Sequence, residues 1–260
     1  MKKLFITFSI ELMKIKKSKV LWITILVFIF IPAMMSLLFY IARNPEMANK
    51  LGLIGTKASI FGNGDWNAYL DLLVQVIAGI GLVGFGFVTS WIFGREYAER
   101  TLNDLLALPI SRTYIVISKI FISFLISMAL AIVMIITGII MGLVVQISGW
   151  SQVNLYSAIY KILITSLLTV TLSTPVAFIA SYGRGYLLPI GFVILTMILA
   201  QLCGAIGINQ YFPWSIPGVY SMYGTPDVPA LSVSSYVILF TTSIAGLAGT
   251  IGWWRFADQK

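Results

Sequence analysis

The sequence contains no histidine, and this absence removes several kinds of chemistry at once. Histidine is the usual general base near neutral pH and the commonest metal ligand, so Ser-His triads and His-ligated metal sites are excluded. Cys203 is the only cysteine, so an internal disulfide and a Cys-x-x-Cys motif are excluded as well. The sequence therefore predicts no catalytic residues, no metal site and no cofactor bound by this chain.

Charged residues are also scarce: they make up 10% of the chain, whereas apolar residues make up 59%. Soluble proteins average about 25% charged residues, and a soluble fold could not bury so much apolar surface. The apolar runs reach the roughly 20 residues that a helix needs to cross a bilayer. They lack the alternation of outer-membrane barrel strands. We predict an all-α membrane protein with one transmembrane domain over residues 1–260.

Six transmembrane helices are predicted, at about residues 20–42, 69–93, 114–146, 155–181, 186–208 and 233–254. An even number places both termini on one side of the membrane. Most of the 17 basic residues lie before the first span and in the loop after the second, which predicts cytoplasmic termini in a bacterial-type plasma membrane. Because these residues flank apolar runs, the net charge of +8 indicates membrane orientation and no nucleic-acid partner.

The segment before the first span, residues 1–19, has apolar side chains at helical spacing and lysines on the rest of its surface. This pattern predicts an amphipathic elbow helix on the inner leaflet. The alternative is a charged tail that only sets the topology.

The stretch 209–232 between the fifth and sixth spans is rich in proline and aromatic residues and has a single charge, Asp227. Tyrosine and tryptophan favour the membrane interface. We expect short re-entrant or interfacial helices on the outer side, and the alternative is an ordinary aromatic-belt loop. The aromatic residues predicted to belong to this outer re-entrant segment are Phe212, Trp214, Tyr220 and Tyr223.

The middle of each predicted span lacks ionisable residues. Asp71, Lys119, Lys161 and Arg184 lie near predicted ends, where they can reach the interface, so a carboxylate proton relay is not predicted. Mild polar side chains inside the spans are candidates for a substrate path, or else they bond to their own helices. The residues predicted to line a possible substrate path are Gln75, Thr169, Ser173 and Gln201.

The loop between the second and third spans has a helical pattern that ends at Pro109. One face is apolar and the other charged, and Glu96 can pair with Arg100 at i,i+4 spacing. Such a charged amphipathic helix at the inner surface is suited to docking into a groove on a soluble partner. A solvated loop that keeps the two spans in register is the alternative.

The stretch from Gly94 to Lys119, GREYAERTLNDLLALPISRTYIVISK, resembles the signature of type-2 ABC transporter permeases. In that signature an acidic residue follows the second span, a T-L-x-x-L-L-x-L-P-I-S-R pattern comes next, and a lysine lies early in the third span. Compact relatives include the bacitracin- and lantibiotic-immunity exporters. Many relatives have Gly-Thr where this chain has Arg100-Thr101, which affects only details of the coupling contact.

The resemblance implies a half-size exporter permease that pairs with a second copy or a paralogue and docks two ATP-binding subunits. The chain has no G-x-x-x-x-G-K-[ST] phosphate loop, so ATP and Mg are expected on a separate subunit. The uncharged spans favour an amphiphilic substrate, such as an antimicrobial peptide or a lipid-like molecule. By this resemblance the coupling-helix residues are Arg95, Glu96, Glu99, Arg100, Thr101, Leu102, Leu105 and Leu106.

Two other classes fit six spans. An ion-coupled transporter or channel would be expected to show mid-span charges, paired broken helices or a filter sequence, and none is apparent. A membrane enzyme could bind Mg²⁺ through carboxylates alone, but the nine acidic residues are scattered.

Overall fold

The computed structural model describes residues 2–44, 64–102, 110–224 and 230–257. Within these ranges the chain is almost entirely helical, and the only β-type pairing is an isolated bridge between Asp65 and Ser148. The predicted all-α class is confirmed.

Among the residues that the structure describes, six helices are long and apolar enough to cross a membrane, as predicted. Spans 1 to 6 are Lys19–Arg43, Trp66–Ala98, Arg112–Val144, Leu155–Tyr182, Leu187–Ile206 and Val233–Phe256. Span 2 consists of Trp66–Val76, a π-helical turn at Ile77–Gly81, and Leu82–Ala98. Span 4 consists of Leu155–Thr171 and Ser173–Tyr182. The remaining helices in the described parts of the chain are Lys2–Lys16, Trp150–Gln152, Pro213–Ser215 and Ile216–Ser221.

Span 2 is longer at both ends than the predicted range 69–93. Its start is fixed by Asp65, whose side chain accepts a hydrogen bond from the Ala68 amide at 3.0 Å. At the other end the helix continues through Arg95 and Glu96, because both side chains are buried against protein.

The bundle has two distinct ends. One end, which we call the charged end, contains the N-terminal helix Lys2–Lys16, the end of span 2 and the start of span 3. The end of span 6 lies there too, since Arg112 donates to the Trp254 carbonyl at 3.1 Å. At the opposite end, Arg43, the last residue of span 1, donates to the carbonyl of Gln146, which follows span 3, at 2.7 Å.

Glycines allow the spans to pack closely. Gly246 of span 6 lies against the backbone of span 4, where a Cβ would be 2.7 Å from Pro175 Cα. Gly138 of span 3 lies against a side chain of span 2, where a Cβ would be 2.8 Å from Leu73 Cδ1. Helices in lipid gain no hydrophobic free energy by associating, so close van der Waals contacts of this kind hold them together. Spans 1 and 5 lie at the periphery of the bundle. In the most apolar 18-residue stretch of each, only 22% of span 1 and 17% of span 5 is buried.

The N-terminal helix packs against span 3. Ile15 is fully buried, and the ring of Phe8 lies 5.6 Å from that of Phe121. The helix predicted within residues 1–19 is therefore present over Lys2–Lys16, and part of its apolar face covers protein.

Candidate functional site

Five charged side chains meet at the charged end, and we call this group the ionic cluster. Glu11 and Lys14 come from the N-terminal helix, Arg95 and Glu96 from the last turn of span 2, and Lys119 from span 3. Lys119 Nζ lies 2.9 Å from Glu96 Oε1 and 3.3 Å from Glu11 Oε2. Arg95 Nη2 lies 2.6 Å from Glu11 Oε2. The cluster thus connects three segments that are distant in sequence.

A sharp turn after span 2 completes the environment of Glu96. The helix ends at Ala98, and Arg100 has a left-handed backbone with φ of 56°. This turn folds Thr101 back, so that its hydroxyl donates to Glu96 Oε2 at 2.7 Å. Lys14 approaches Glu96 Oε1 at 3.4 Å from the other side. Both carboxylate oxygens of Glu96 are therefore engaged.

Four members of the ionic cluster are almost completely buried: no side chain of Glu11, Arg95, Glu96 or Lys119 is more than 5% exposed. Removing one partner from a buried ion pair typically costs about 3–5 kcal/mol, because it leaves an uncompensated charge. The cluster consequently favours arrangements in which the N-terminal helix, span 2 and span 3 stay together at this end.

The structure corrects two predictions here. Glu96 is paired with Lys119 and Lys14 instead of Arg100, because the helix breaks before Arg100 could take its i,i+4 position. Lys119 does not extend to the interface, since its side chain is 0% exposed and two carboxylates hold it inside the protein.

The predicted coupling residues fall on both sides of the turn. Arg95 and Glu96 lie in the last turn of span 2. Glu99, in the turn that follows, is exposed, and Leu102 is the first helical residue after that turn. The stretch is therefore not one continuous helix from Glu96 onwards. Leu105 and Leu106 lie outside the described residues.

Sequence reasoning missed Glu11 and Lys14. A signal was present, because Glu11 falls on the same helical face as Phe8 and Ile15, three residues after one and four before the other. An acidic side chain on an apolar face predicts a buried partner, although it does not identify that partner.

A cavity of about 530 Å³ lies between span 2, span 5 and the helix Ile216–Ser221. Gln75 and Gln201, predicted for the substrate path, both line it, and Ala78 and Gly79 of the π-helical turn form part of its wall. The other two predicted residues are buried and bond within span 4: Thr169 donates to the Thr165 carbonyl and Ser173 to the Val170 carbonyl.

The aromatic segment after span 5 contains two short helices and packs on the bundle. The ring centroid of Trp214 lies 5.4 Å from that of Phe192 in span 5 and 5.5 Å from that of Phe212. Trp214 also lines the cavity that contains Gln75 and Gln201. Tyr220 and Tyr223 stack at 6.4 Å and line a separate cavity nearby.

Residues 7–202 match the family described as ABC-2 family transporter proteins. The chain belongs to this ABC-2 family. The match begins in the N-terminal helix and ends in span 5, so it includes the whole ionic cluster, Gln75 and Gln201. The resemblance to type-2 ABC permeases is confirmed.

A curated relative of this ABC-2 protein is the bacitracin transport permease protein BCRB of Bacillus licheniformis. The two sequences are 30% identical over 196 residues, which is 75% of this chain and 90% of the relative. The ABC-2 protein is therefore a multi-pass membrane permease, and its family implies ATP-binding subunits as partners.

Proposed function

We propose that this ABC-2 protein is the permease subunit of an ATP-driven exporter that moves an amphiphilic substrate out of the membrane or cytoplasm. The observation that carries the proposal is the ionic cluster, which joins the end of span 2 to span 3 and to the N-terminal helix. A permease needs such a firm connection beside the surface that its ATPase moves.

The charged end faces the cytoplasm in this proposal, because the lysines of the N-terminal segment favour that side. The turn from Glu99 to Leu102 then begins the contact with the ATP-binding subunit. Two such subunits hold ATP and Mg, and the chain itself binds neither. The helix Lys2–Lys16 serves as the elbow at the inner leaflet.

Span 2 is the element that connects the ATPase contact to the cavity. Leu82–Ala98 is a 17-residue α-helix, which extends about 25 Å at 1.5 Å per residue. Beyond it the π-helical turn contributes Ala78 and Gly79 to the cavity wall. Single π-turns are frequent at functional sites. Displacement of Glu96 would thus be carried along a rigid helix to the residues that face the substrate.

The cavity suits an amphiphilic molecule. Gln75, Gln201 and Asn209 supply amides, Trp214 an aromatic surface, and the remaining wall is largely small or apolar. A second copy or a paralogue would close its open side, and the short helices around Trp214 would form the re-entrant outer boundary. Because BCRB is a bacitracin transport permease, a peptide antibiotic is the preferred substrate.

The first test is a pull-down from the native host followed by an ATPase assay. The wild type should recover an ATP-binding protein, whereas Glu96→Lys combined with Leu105→Asp should lose it. Asp71→Lys is the matched control, since it changes an acidic residue at the opposite end and should leave recovery intact. Recovery of no ATPase by a folded wild type would contradict the proposal and favour an ion-coupled transporter.

The substrate requires a separate assay. Cells that express the permease with its ATPase should survive higher bacitracin concentrations than cells with an inactive ATPase. Equal survival, together with intact ATPase recruitment, would reject this substrate while leaving the exporter assignment in place.

A further inference from the structure

A cavity of about 360 Å³ lies at the end of the bundle opposite the charged end, and we call it the tyrosine pocket because Tyr160, Tyr220 and Tyr223 line it. Its walls come from the starts of spans 2 and 4 and from the helix Ile216–Ser221 with the residues that follow it. The tyrosine pocket shares no lining residue with the cavity of Gln75 and Gln201. Its volume is near the lower end for small-molecule sites, which suits a ligand of roughly one or two rings.

The charged side chains in the tyrosine pocket neutralise each other. Lys161 Nζ lies 3.0 Å from Asp71 Oδ1, and among the described residues around the pocket these two are the only charged ones. A strongly charged ligand would have to break this pair. A neutral ligand would not, because half of the Asp71 side chain is exposed and can accept further hydrogen bonds, while the ammonium group has three donors. An acceptor and a donor side by side match two neighbouring hydroxyl groups.

Uncharged hydrogen-bonding groups surround this pair. Asn154 caps span 4: its Oδ1 accepts from the Ser157 amide at 3.1 Å, which leaves its amide nitrogen free to donate. Burial, together with the nearby phenols of Tyr160, Tyr236 and Tyr223, raises the pKa of Tyr220. The Tyr220 hydroxyl therefore stays protonated at physiological pH, and it can both donate and accept.

Two tyrosine rings of the pocket are accessible. Tyr160 is 55% exposed and Tyr223 is 53% exposed. Tyr223 stacks on Tyr220 with the two ring planes 11° apart, and this contact supports the exposed ring. Tyr220 itself packs against the buried group of Leu168, Leu172, Ile216 and Leu239. The negative face of an aromatic ring attracts C–H groups, so these rings suit a ligand with a flat C–H surface.

We propose that the tyrosine pocket binds a neutral pyranose sugar with equatorial hydroxyl groups. In such a sugar the hydroxyls surround the rim of the ring, and C–H groups cover its two faces. One molecule can therefore bond to Asp71 and Lys161 through its rim while one face lies against an exposed tyrosine. The inference goes beyond the proposed export substrate, and it uses the proposed function only to place this pocket on the outer side of the membrane.

A sugar of this kind has two sources, the headgroup of a glycolipid and a free saccharide. Tyrosines favour the membrane interface, and the pocket lies where two spans begin. A glycolipid headgroup reaches this level from within the bilayer, and a free saccharide reaches it from the water. Both sources present the same ring to the pocket, so the experiment has to separate them.

The test is saturation-transfer NMR of the full chain in phosphatidylcholine nanodiscs, titrated with methyl β-glucopyranoside. Sugar-based detergents are avoided because they would compete for the pocket. Tyr160→Leu should lower the affinity about fivefold, as expected for one lost aromatic contact, whereas Tyr160→Phe should retain most of it. Tyr156→Leu is the matched control: this tyrosine lies one turn earlier on the same helix, is 81% exposed and does not line the pocket. Its affinity should equal that of the wild type.

A second variant tests the polar side of the pocket. Asp71→Ala should weaken the binding of methyl β-glucopyranoside about tenfold, because a charged acceptor is lost. Thermal midpoints identify misfolded variants, and Tyr223→Leu replaces Tyr160→Leu if the latter does not fold. Glucosyl diacylglycerol in the nanodisc should displace methyl β-glucopyranoside if the ligand is a glycolipid headgroup. No displacement would assign the pocket to a free saccharide.

Three results would overturn the proposal. The first is no binding of methyl β-glucopyranoside to the folded wild type. The second is equal affinity in the wild type, Asp71→Ala and the folded tyrosine variants. The third is binding of tetramethylammonium with no binding of the sugar, which would make the pocket a cation site. Because the measurement needs neither ATPase nor transport, its failure would leave the exporter assignment untouched.

Discussion

Arg95 donates to the Glu11 carboxylate at 2.6 Å, although 84 residues separate the two in sequence. The pair joins the last turn of span 2 to a helix that precedes all six spans. Through Glu11, Lys119 of span 3 is part of the same contact. The end of span 2 consequently cannot move far without carrying the N-terminal helix or breaking buried ion pairs.

The first prediction concerns this coupling. Lys119→Met should lower the stability of the detergent-solubilised protein by about 3–5 kcal/mol, because Glu11 and Glu96 lose the most deeply buried of the three cations that lie near both carboxylates. Replacing Glu96 as well, in Lys119→Met with Glu96→Gln, should recover part of the loss. Thermal unfolding midpoints of the two single variants and the double variant measure the interaction. Additive effects would show that the side chains act independently.

The second prediction uses a cross-helix ion pair at the opposite end as a contrast. Lys161 lies 3.0 Å from Asp71, but the side chain of Asp71 is 50% exposed. Exposed pairs contribute about 0–1 kcal/mol. Asp71→Asn should therefore shift the unfolding midpoint by no more than a small fraction of the Lys119→Met shift. An equally large effect would mean that burial does not set the strength of these pairs.

The third prediction concerns the contact between spans 4 and 6. Gly246→Ala should destabilise the protein by about 1–3 kcal/mol, because the new methyl group would overlap the backbone at Thr174 and Pro175. Gly252→Ala, on the same span, meets nothing within 4 Å and is the matched control. Unfolding midpoints in one detergent compare the two, and similar values would contradict the close approach.

The fourth prediction concerns the cavity between spans 2 and 5. Gln75→Leu and Gln201→Leu should each reduce bacitracin protection while leaving expression and ATPase recruitment unchanged, since both amides line the cavity far from the charged end. Thr169→Val should have a weaker effect on protection, because this hydroxyl bonds to its own helix. A stronger effect from Thr169→Val would place the substrate path elsewhere.

The fifth prediction concerns Trp254, which is fully buried and donates from Nε1 to Ser181 Oγ at 2.8 Å. Trp254→Phe should cost about 1–3 kcal/mol through the lost hydrogen bond and the smaller ring. Phe256→Leu, on the same helix but 79% exposed, should have little effect. Comparable losses would indicate that both residues are buried in the assembled transporter.

The number and order of the spans could be predicted from the sequence because apolar length is a property of each segment alone. For the proline- and aromatic-rich stretch, composition left short helices and an aromatic-belt loop as alternatives, and the structure has short helices at Pro213–Ser215 and Ile216–Ser221. The ends of span 2 were less predictable: Asp65 caps the helix beyond the apolar run, and buried Arg95 and Glu96 extend it where composition predicted a loop.

The ionic cluster could not be predicted, because its existence depends on which distant segments meet. Lys119 near a predicted helix end has the same local sequence features whether it reaches the interface or faces Glu11. Likewise, Thr169 and Gln75 are both mid-span polar residues, and only packing decides that the first bonds to its own helix while the second faces a cavity.

The π-helical turn at Ile77–Gly81 has a consequence for evolution by insertion and deletion. A π-turn closes its hydrogen bonds over one residue more than an α-turn, so it accommodates a single additional residue inside a continuous helix. Losing one residue there would convert the turn to α-helix and leave Trp66–Val76 and Leu82–Ala98 facing their present neighbours. Elsewhere in span 2 the same deletion would rotate one half of the helix by about 100° relative to the other. This membrane-spanning helix therefore has one place where its length can change without disturbing either the ionic cluster or the far end.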